Sequence, residues 1–430
     1  MRASRPEITP ARRAAFAVVL RVFEEGAYAD RALHGEARGL DGRERSLAQQ
    51  LAFGTVQRVR TLDHVVERLA RPPDRLDAGV RAALRLGLFQ LVFLDGVAEH
   101  AAVSQSVALA RAAGSRGHGL VNAVLRRAAR EGRAIVDAMG EATPDEAGLR
   151  HSLPDWLAAL WWEAYGPAEA RALMAAANRP AEHALRANAL VTTADALRSA
   201  LPVAAHAGPE PPEALVVQEA FDAHRSPLWA KGAFTPQSRG SMLVARMLAP
   251  RPGERVLDRC AAPGGKTTHL AALMADRGEV VAVERHAGRA AALERTAARL
   301  RAASIRVAVA DAAGWTEAGF DRVLVDPPCS GLGTLSHRPD VRWRASPERI
   351  AALTAQQDAI LAAGAGALRP GGALVYSVCT LNPAEGDERV AALLAARPEL
   401  ALADRRTTWP HRDGTDGFSL ALVRHTGGDD

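Results

Sequence analysis

The sequence contains very little lysine. Of its 54 basic residues only Lys231 and Lys266 are lysines, and arginine supplies every other basic side chain. The two residue types are not interchangeable, because only lysine offers a compact ammonium on a flexible stem. A lysine retained in such an arginine-rich chain therefore favours a specific role at its position.

Cysteine is also scarce, and the three cysteines are Cys260, Cys329 and Cys379. An odd and sparse set argues against a disulfide framework. Their spacings fit no zinc site, so we expect no metal. Buried free thiols are one interpretation of such cysteines. The neighbours of two of them, described below, favour a functional interpretation instead.

Long apolar runs are absent as well. No stretch of about 18 apolar residues occurs, so no membrane span or membrane partner is predicted. The start of the chain, Met1–Pro6, passes directly into an amphipathic pattern without the apolar stretch of a secretory signal. We therefore expect a cytoplasmic protein, and its 430 residues predict two or three domains.

Positive charge is concentrated in the first third of the chain. Residues 1–140 hold 22 arginines and 15 acidic residues, a balance of +7, whereas residues 141–430 hold 32 basic and 34 acidic residues, a balance of −2. A basic N-terminal domain indicates a polyanionic partner such as RNA. A solvated helical surface in an arginine-rich protein explains the charge equally well.

The first predicted domain, residues 1–140, is all-α and contains six or seven helices. Apolar residues recur at helical spacing in Ala14–Phe23, Leu47–Val56, Leu62–Leu69, Val80–Phe93, Ala101–Ala112 and Leu120–Ala129. Helix-breaking residues separate them at Gly26, Gly39, Pro72-Pro73, Gly96 and Gly114. Residues 141–245 follow as linker helices, including the pair Pro154–Tyr165 and Pro167–Ala177, and a small α+β subdomain with a strand near Ala184–Leu190.

The last predicted domain, residues 246–430, alternates strands and helices. The strand-like runs are Arg255–Leu257, Glu279–Val283, Arg306–Ala308, Arg322–Val325 and Ala373–Ser377. Helical patterns such as Arg289–Ala303 and Pro347–Ala367 lie between them. This alternation predicts an α/β, Rossmann-like domain with a doubly wound, mostly parallel sheet. Ligands of such sheets bind beyond the carboxyl ends of the strands.

A glycine-rich turn follows the first of these strands, where Asp258 and Arg259 lead into Cys260-Ala261-Ala262-Pro263-Gly264-Gly265-Lys266. Such a turn lets the backbone approach a ligand closely. A phosphate-binding P-loop would need a glycine at Cys260, and the Gly-x-Gly-x-x-Gly pattern of dinucleotide sites is absent. The motif therefore excludes both an NTPase and a dehydrogenase of the usual kinds.

Two acidic residues follow the next two strands. Glu284 ends the second strand, 26 residues after Asp258, where a carboxylate binds the hydroxyls of a ribose. Asp311, after the third strand, is placed to reach an adenine amino group. Either acid alone is an ordinary loop residue more often than a ligand, but together with the turn they suit an adenosyl ligand that has no phosphate.

Two thiols and a carboxylate end the fourth and fifth strands. Asp326-Pro327-Pro328-Cys329 follows the fourth, and Cys379 follows the fifth. Carbon 5 of cytosine becomes nucleophilic when a thiolate adds to carbon 6, and a base must later remove the carbon-5 proton. One nucleophilic cysteine, one acid and one base are the groups that such a methyl transfer requires.

These residues resemble the Sun family of RNA cytosine-5 methyltransferases, which are described as RsmB/Sun-like. The resemblance is carried by Val256–Thr267, Asp326–Gly333, Arg338-Pro339-Asp340 and Tyr376–Glu385, with Asp413–Phe418 similar to the family's last strand. The first domain is similar to the NusB-type RNA-binding fold in Arg81–Leu91, His100–Val103 and Val121–Arg126. Together the two resemblances cover nearly the whole chain.

The resemblance implies a role for each matching residue. Cys379 would be the nucleophile, Cys329 would assist product release, and Asp326 would contact N3 and the exocyclic amine of cytosine. S-adenosyl-L-methionine would lie against Cys260–Lys266, Glu284, Asp311 and Asp326. The substrate would be a cytosine in small-subunit (16S) ribosomal RNA, with transfer RNA as the alternative.

The chain departs from the family pattern at several positions. Val378 and Thr380 flank Cys379 where threonine and serine are usual. Ala384 and Gly386 replace polar residues around Glu385, and Arg259 replaces an apolar residue. These departures bear on how the substrate is positioned more than on the type of reaction.

Two further sets of residues are candidates for RNA contact, because a target base must be unpaired or flipped out to reach such a site. Trp343, with Arg342 or Arg344, is placed to stack on the base, although a core tryptophan is equally compatible with the pattern. The phosphate-binding candidates are Arg126, Arg127, Arg130 and Arg133. A solvated helix end is the slightly favoured alternative for those four.

Two other functions remain to be distinguished. A NusB-like RNA-binding assembly factor without catalysis would not need Asp326, Cys329 and Cys379 intact. A DNA cytosine-5 methyltransferase uses a Pro-Cys nucleophile, which Pro328-Cys329 matches, but it has no second cysteine at the end of the next strand.

Overall fold

The computed structural model describes residues 8–70, 76–219 and 221–427. The predicted interruption at Pro72-Pro73 and the first residues, Met1–Pro6, lie outside these ranges. The chain divides into two compact units. The first unit extends to Pro180 and also includes Leu335–Arg344, and the second comprises Ala181–Thr334 and the chain from Ala345 onwards.

The first unit is helical. Its helices are α1 (Pro10–Glu24), α2 (Ala29–Glu36), α3 (Gly42–Leu69), α4 (Ala78–Phe93), α5 (Glu99–Ala112), α6 (His118–Asp137), α7 (Pro144–His151) and α8 (Asp155–Ala176), with the later turn α14 (Val341–Arg344). The two apolar stretches predicted around residues 47–56 and 62–69 form one continuous helix, α3, because no glycine or proline separates them. Side-chain caps fix three helix starts of this unit: Asp41 accepts a hydrogen bond from the Glu44 amide, Asp77 from the Val80 amide and Thr143 from the Glu146 amide.

The helical pair predicted after residue 154 is a single kinked element in the structure. Gly166 interrupts α8 with a φ of +78°, and Pro167 follows it. Glycine adopts this left-handed backbone without a steric penalty, and proline cannot donate the helical hydrogen bond. The sequence therefore identified the break correctly, and the two halves follow one another directly.

The second unit contains a small antiparallel sheet with strand order β2-β3-β1-β4. Its elements are β1 (Ala184–Ala187), α9 (Ala194–Ala200), β2 (Ala205–Ala207), β3 (Ala214–Val217), a 3₁₀ turn (Ala223–Arg225), α10 (Pro227–Ala230) and β4 (Phe234–Pro236). The sequence predicted only β1, because strands of three or four residues are too short to show a clear alternation.

The larger sheet of this unit has seven strands in the order β10-β11-β9-β8-β5-β6-β7. Its elements are α11 (Arg239–Leu248), β5 (Arg255–Asp258), α12 (Gly265–Leu273), β6 (Glu279–Glu284), α13 (Ala287–Arg299), β7 (Ile305–Val309), β8 (Phe320–Val325), a 3₁₀ turn (Leu332–Thr334), α15 (Pro347–Gly366), β9 (Leu368–Val378), α16 (Asp387–Ala396), β10 (Leu400–Thr408), α17 (Pro410–Asp413) and β11 (Phe418–His425). All five predicted strands are present, and their pairings with one another are parallel.

Apolar residues cover both faces of the larger sheet. One face packs Val323, Val325 and Leu374 against α15 and α16, and the other packs Val256, Val280 and Leu324 against α11 and α12. A sheet that is buried on both faces is the doubly wound arrangement predicted from the sequence. The segment 413–417 belongs to the stretch that resembles the family's last strand. In the structure it forms the end of α17 and the turn before β11 instead.

None of the helices within the described ranges combines the length and the apolar character that a membrane span requires.

Candidate functional site

Parallel pairing brings five strand ends to one edge of the larger sheet. Asp258 is the last residue of β5 and lies opposite Ala282 of β6 and Leu324 of β8. Beyond the neighbouring ends lie Asp326 after β8 and Cys379 after β9. The carboxyl edge of the sheet therefore carries the residues that the sequence singled out, and β8 and β9 are neighbours there.

The two thiols lie side by side. The Sγ atoms of Cys329 and Cys379 are 3.3 Å apart, within hydrogen-bonding distance for sulfur; neither cysteine forms a disulfide, and both are half-buried. The hydrogen bond to Cys379, together with burial, raises the pKa of the Cys329 thiol well above its usual range. Cys329 therefore holds its proton and can donate it to the sulfur of Cys379.

A partly buried ion pair lies at the end of β8. The ammonium of Lys266 donates to Oδ2 of Asp326 at 2.7 Å, and the hydroxyl of Ser377 donates to Oδ1 at 2.6 Å. Burial lowers the pKa of Lys266, but the negative charges of Asp326 and Cys379 outweigh that effect and raise it overall. Lys266 therefore stays charged, and its position in this pair fits the specific role expected of a rare lysine.

The glycine-rich turn is folded tightly between β5 and α12. Gly264 has a φ of +101°, and its amide donates to the carbonyl of Ala261 at 2.8 Å. The buried Asp258 accepts a 2.7 Å hydrogen bond from Thr267, while its Oδ1 has no partner among the described residues. Burial, with a contribution from Asp326, raises the pKa of Asp258 to about 6. The turn thus presents its backbone beside an unsatisfied carboxyl oxygen.

The cysteine at the start of this turn differs from the other two. Burial and the nearby carboxylate of Asp258 raise the pKa of the Cys260 thiol far above its usual range. Cys260 is therefore kept protonated and unreactive, in agreement with a position in the turn and without a nucleophilic role.

A buried arginine that the sequence did not indicate supports the turn. Arg186 of β1 is 1% exposed and donates to the carbonyl of Gly265, to Thr268 Oγ1 at 2.9 Å and to Gln237 Oε1 at 2.6 Å. The small sheet therefore holds the start of α12 in place. No local pattern reveals this role, because Arg186 and Gly265 are 79 residues apart.

The two predicted adenosine-binding acids lie at neighbouring strand ends but differ in exposure. Glu284 is buried, accepts from the His286 amide at 2.9 Å and lies 3.5 Å from the Arg289 guanidinium. Asp311 is exposed, accepts from the Ala313 amide at 2.9 Å and lies 3.8 Å from Arg285. Carboxylates at successive strand ends suit a ligand that offers hydroxyl and amino groups. The donor set therefore fits an adenosyl ligand without phosphate.

A buried carboxylate joins the two cysteine loops. Glu385 is fully buried and accepts hydrogen bonds from the Ser330 amide at 2.7 Å, from the Ser330 hydroxyl and from Gln357 Nε2 at 3.1 Å. Ser330 also lies 2.9 Å from the hydroxyl of Thr380. Since Ser330 follows Cys329 and Thr380 follows Cys379, this network fixes the spacing of the two thiols. Thr380 keeps the hydroxyl that the family pattern places there.

The prediction that Arg342 and Trp343 stack on a base is wrong. Arg342 is fully buried within the first unit and donates to the carbonyls of Gln57, Ser152 and Ala177 and to Asn178 Oδ1, at 2.9–3.2 Å. The indole of Trp343 donates to the Val56 carbonyl at 2.7 Å and packs against the helical core.

The third residue of that group is also engaged within the first unit. Arg344 donates to the carbonyl of Gly26, pairs with Asp340 at 2.8 Å and lies over the ring of Tyr28. All three side chains therefore anchor the segment Leu335–Arg344 in the helical unit. The core tryptophan, which the sequence left open, is the arrangement observed.

The arginines proposed for phosphate contact lie exposed on α6. Arg127 pairs with Glu131 at 2.9 Å, and Arg133 with Asp95 at 2.8 Å. Their exposure is compatible with both interpretations, so phosphate binding there stays a prediction. Within the described ranges, no cluster of three histidine, cysteine or acidic side chains is arranged to hold a metal ion.

The sheet order, the glycine-rich turn and the acidic strand ends together define a Rossmann-like methyltransferase domain. A family model described as "16S rRNA methyltransferase RsmB/F" matches residues 245–424. The NusB family model matches residues 9–130, and a "Methyltr_RsmF/B-like, ferredoxin-like domain" matches residues 153–224.

Full-length relatives agree with these matches. The chain is 36% identical to the "Probable ribosomal RNA small subunit methyltransferase B" of Synechocystis, over 96% of this chain and 99% of the relative. It is 32% identical to the protein of the same name in Bacillus subtilis, over 97% and 99%. The crystal structure of PH0851 covers 98% of this chain with a TM-score of 0.81 at 23% identity, a likeness that establishes the fold. This chain belongs to the 16S rRNA methyltransferase RsmB/F family.

Proposed function

We propose that this protein transfers a methyl group from S-adenosyl-L-methionine to carbon 5 of a cytosine in RNA, through a covalent bond between Cys379 and carbon 6. The observation that carries this proposal is the 3.3 Å separation of the Cys329 and Cys379 sulfurs. A binding protein has no need of two free thiols in contact at the edge where a Rossmann-like sheet binds its ligand.

The chemistry needs a nucleophile that is deprotonated and a second group that holds a proton. The thiolate of Cys379 forms the S–C6 bond, and the electrons of the C5=C6 double bond move to make carbon 5 nucleophilic. When bound, S-adenosyl-L-methionine supplies an electrophilic sulfonium methyl for carbon 5. A base then removes the carbon-5 proton, and the S–C6 bond breaks to release Cys379.

Cys379 is assigned as the nucleophile because its neighbours stabilise negative charge on its sulfur. Cys329 retains its proton and can donate it toward Cys379, and the positive charge of Lys266 interacts with Cys379. Once the Cys379 sulfur is bonded to carbon 6, it no longer carries the negative charge and the hydrogen bond that raise the pKa of Cys329. Cys329 can then lose its proton and, as a thiolate, accept the carbon-5 proton, which is the product-release role implied by the family resemblance.

Asp326 is assigned to the pyrimidine edge. Its two oxygens already accept from Lys266 and Ser377, and each carboxylate oxygen has a second lone pair. One of these can accept from the exocyclic amine of cytosine. Contact with N3 requires a proton shared between the two groups.

The methyl donor would be held by the glycine-rich turn Cys260–Lys266, by Glu284 at the ribose, by Asp311 at the adenine amino group and by Asp326. The buried Oδ1 of Asp258, just before this turn in the chain, has no hydrogen-bond partner among the described residues. Each of these residues lies at the carboxyl edge of the larger sheet.

The substrate is proposed to be small-subunit ribosomal RNA. The names of the relatives from Synechocystis and Bacillus subtilis support this substrate. The match of residues 9–130 to the NusB family, and their positive charge, support an RNA partner. A base in a duplex cannot enter such a crevice, so the target must be unpaired or flipped out.

Bisulfite sequencing of total RNA from a strain lacking the gene tests this proposal, because 5-methylcytosine resists bisulfite deamination. We expect one small-subunit ribosomal site to lose protection, and a wild-type gene but not Cys379→Ala to restore it. Loss confined to transfer RNA would transfer the assignment to that substrate. Unchanged ribosomal and transfer RNA would overturn the proposed function.

A further inference from the structure

A buried arginine lies immediately after the first strand of the larger sheet. Arg259 is 1% exposed, and its amide continues the sheet by donating to the carbonyl of Leu324 at 3.0 Å. Its guanidinium donates to two backbone carbonyls, those of Ala312 and Trp315, the latter at 2.7 Å. One side chain therefore connects the end of β5 to the loop that follows β7.

The loop held by Arg259 is the one that carries Asp311. Asp311 and its neighbours turn back on themselves, since the Ala313 amide donates to Asp311 Oδ1 at 2.9 Å and the Gly314 amide to the Asp311 carbonyl at 3.2 Å. Arg259 bonds to the carbonyls of Ala312 and Trp315, which follow Asp311 in the same loop. The direction of the Asp311 carboxylate therefore depends on a loop fixed at two points by one guanidinium.

Burial of the Arg259 guanidinium carries a high desolvation cost, so this interaction is an inefficient way to stabilise a fold. Burial lowers the pKa of Arg259 to about 10, which shows that the surroundings disfavour its charge. Its Nε has no hydrogen-bond partner among the described residues, and the two acceptors found are neutral carbonyls. An apolar side chain of similar size usually serves stability as well as or better than a buried charge. The family resemblance places an apolar residue at this position.

We propose that Arg259 is a positioning residue that holds the Asp311–Trp315 loop in the shape that binds the adenine of the methyl donor. The inference rests on the proposed function, since it takes Asp311 as the adenine contact. Loop order that exists before binding does not have to be created by the ligand, and affinity rises accordingly. Arg259 is suited to this task because its planar guanidinium can donate to two carbonyls at once.

The test compares Arg259→Met with the wild-type protein in the full-length chain. Calorimetric titration with S-adenosylhomocysteine and with adenosine should show both affinities weakened by the same factor, about tenfold. The KM for the methyl donor should rise while kcat and the KM for RNA stay unchanged. Hydrogen exchange at the Asp311–Trp315 amides should become faster, while the protein stays folded and loses less thermal stability than a variant of an arginine that bonds to more acceptors. Arg424→Met, an exposed arginine on β11, is the matched control and should alter none of these.

Each other outcome has a defined meaning. Unchanged affinity in Arg259→Met, or loss of its fold, would overturn the inference, because Arg259 would then be irrelevant to the loop or a support of the whole sheet. In both cases the proposed function would stand if the wild-type protein binds S-adenosylhomocysteine. Failure of the wild-type protein itself to bind it would instead refute the proposed function. Arg259→Lys, which keeps the charge but not the fork, should bind less tightly than wild type.

Discussion

Replacement of Glu385 by glutamine should uncouple the two cysteine loops while leaving the shape of the side chain unchanged. The carboxylate is fully buried and accepts four hydrogen bonds, two from Ser330, one from Gln357 and a longer one from Asn382 at 3.5 Å. A glutamine keeps one oxygen as an acceptor, but it places an amide donor where the second oxygen receives the Ser330 hydroxyl. That hydroxyl must then turn toward Thr380, 2.9 Å away.

The expected loss of stability follows from the change from charged to neutral hydrogen bonds at residue 385. Hydrogen bonds to a charged group contribute about 1.5–3 kcal/mol each, and those between neutral groups about 1 kcal/mol. Loss of charge assistance, about 0.5–2 kcal/mol in each of the three shorter bonds, therefore lowers the free energy of unfolding by about 1.5–6 kcal/mol. Since the network fixes the spacing of Cys329 and Cys379, kcat should also fall, by about tenfold or more for a displacement well under 1 Å.

Urea unfolding and steady-state methylation of an RNA fragment measure the two effects separately. Glu388→Gln is the matched control, because Glu388 lies on the same stretch of chain but is exposed. Its carboxylate forms a long ion pair, 3.5 Å from the guanidinium of Arg389. It should cost well under about 1 kcal/mol and leave kcat unchanged. The KM for the methyl donor should be unaffected in both variants. A Glu385→Gln protein with wild-type stability and wild-type kcat would refute the idea that this carboxylate sets the thiol spacing.

Three further predictions concern the buried groups. Arg342→Met should destabilise the helical unit by about 3–5 kcal/mol in chemical denaturation, because it leaves four acceptors without their donor; a change below about 1 kcal/mol would contradict that. The pKa of Asp258 is raised from 3.8 to about 6, so the folded protein holds this proton more tightly than the unfolded chain. The protonated Asp258 should therefore add about 2–3 kcal/mol to the free energy of unfolding below pH 4, and this stabilisation should be lost as the pH rises through about 6. The Asp258→Asn variant should lack this pH dependence of the free energy of unfolding. Iodoacetamide at pH 8 should label Cys379 faster than Cys329, whose pKa is raised; peptide mass spectrometry showing the reverse order would reverse the assignment of the nucleophile.

The parallel sheet was predictable from the sequence because its strands are buried on both faces and end in distinctive residues. β-rich runs ending at Asp258, Glu284 and Asp326 identify strands and their carboxyl ends at the same time. The kink at Gly166 was visible for the same kind of local reason. Signals of this type depend only on a few neighbouring residues, so no knowledge of packing is needed to detect them.

The contacts of buried arginines were not predictable in the same way. Three buried arginines donate to backbone carbonyls that lie more than 50 residues away in the sequence. Arg186 donates to Gly265, Arg259 to Ala312 and Arg342 to Gln57. A backbone carbonyl is present at every residue, so nothing in the sequence marks the ones that will accept. Arg342 was therefore interpreted as a surface residue near RNA, although it is an anchor of the helical unit.

The most direct measurement of the central claim is the capture of the enzyme on its substrate. Cys329→Ala protein, incubated with small-subunit ribosomal RNA and S-adenosyl-L-methionine, should accumulate a denaturation-resistant complex. Mass spectrometry of the digested complex should find a methylated cytosine attached to Cys379, and Cys329→Ala combined with Cys379→Ala should form none. A nucleotide attached to any residue other than Cys379, or full methylation by a protein lacking Cys379, would contradict the account.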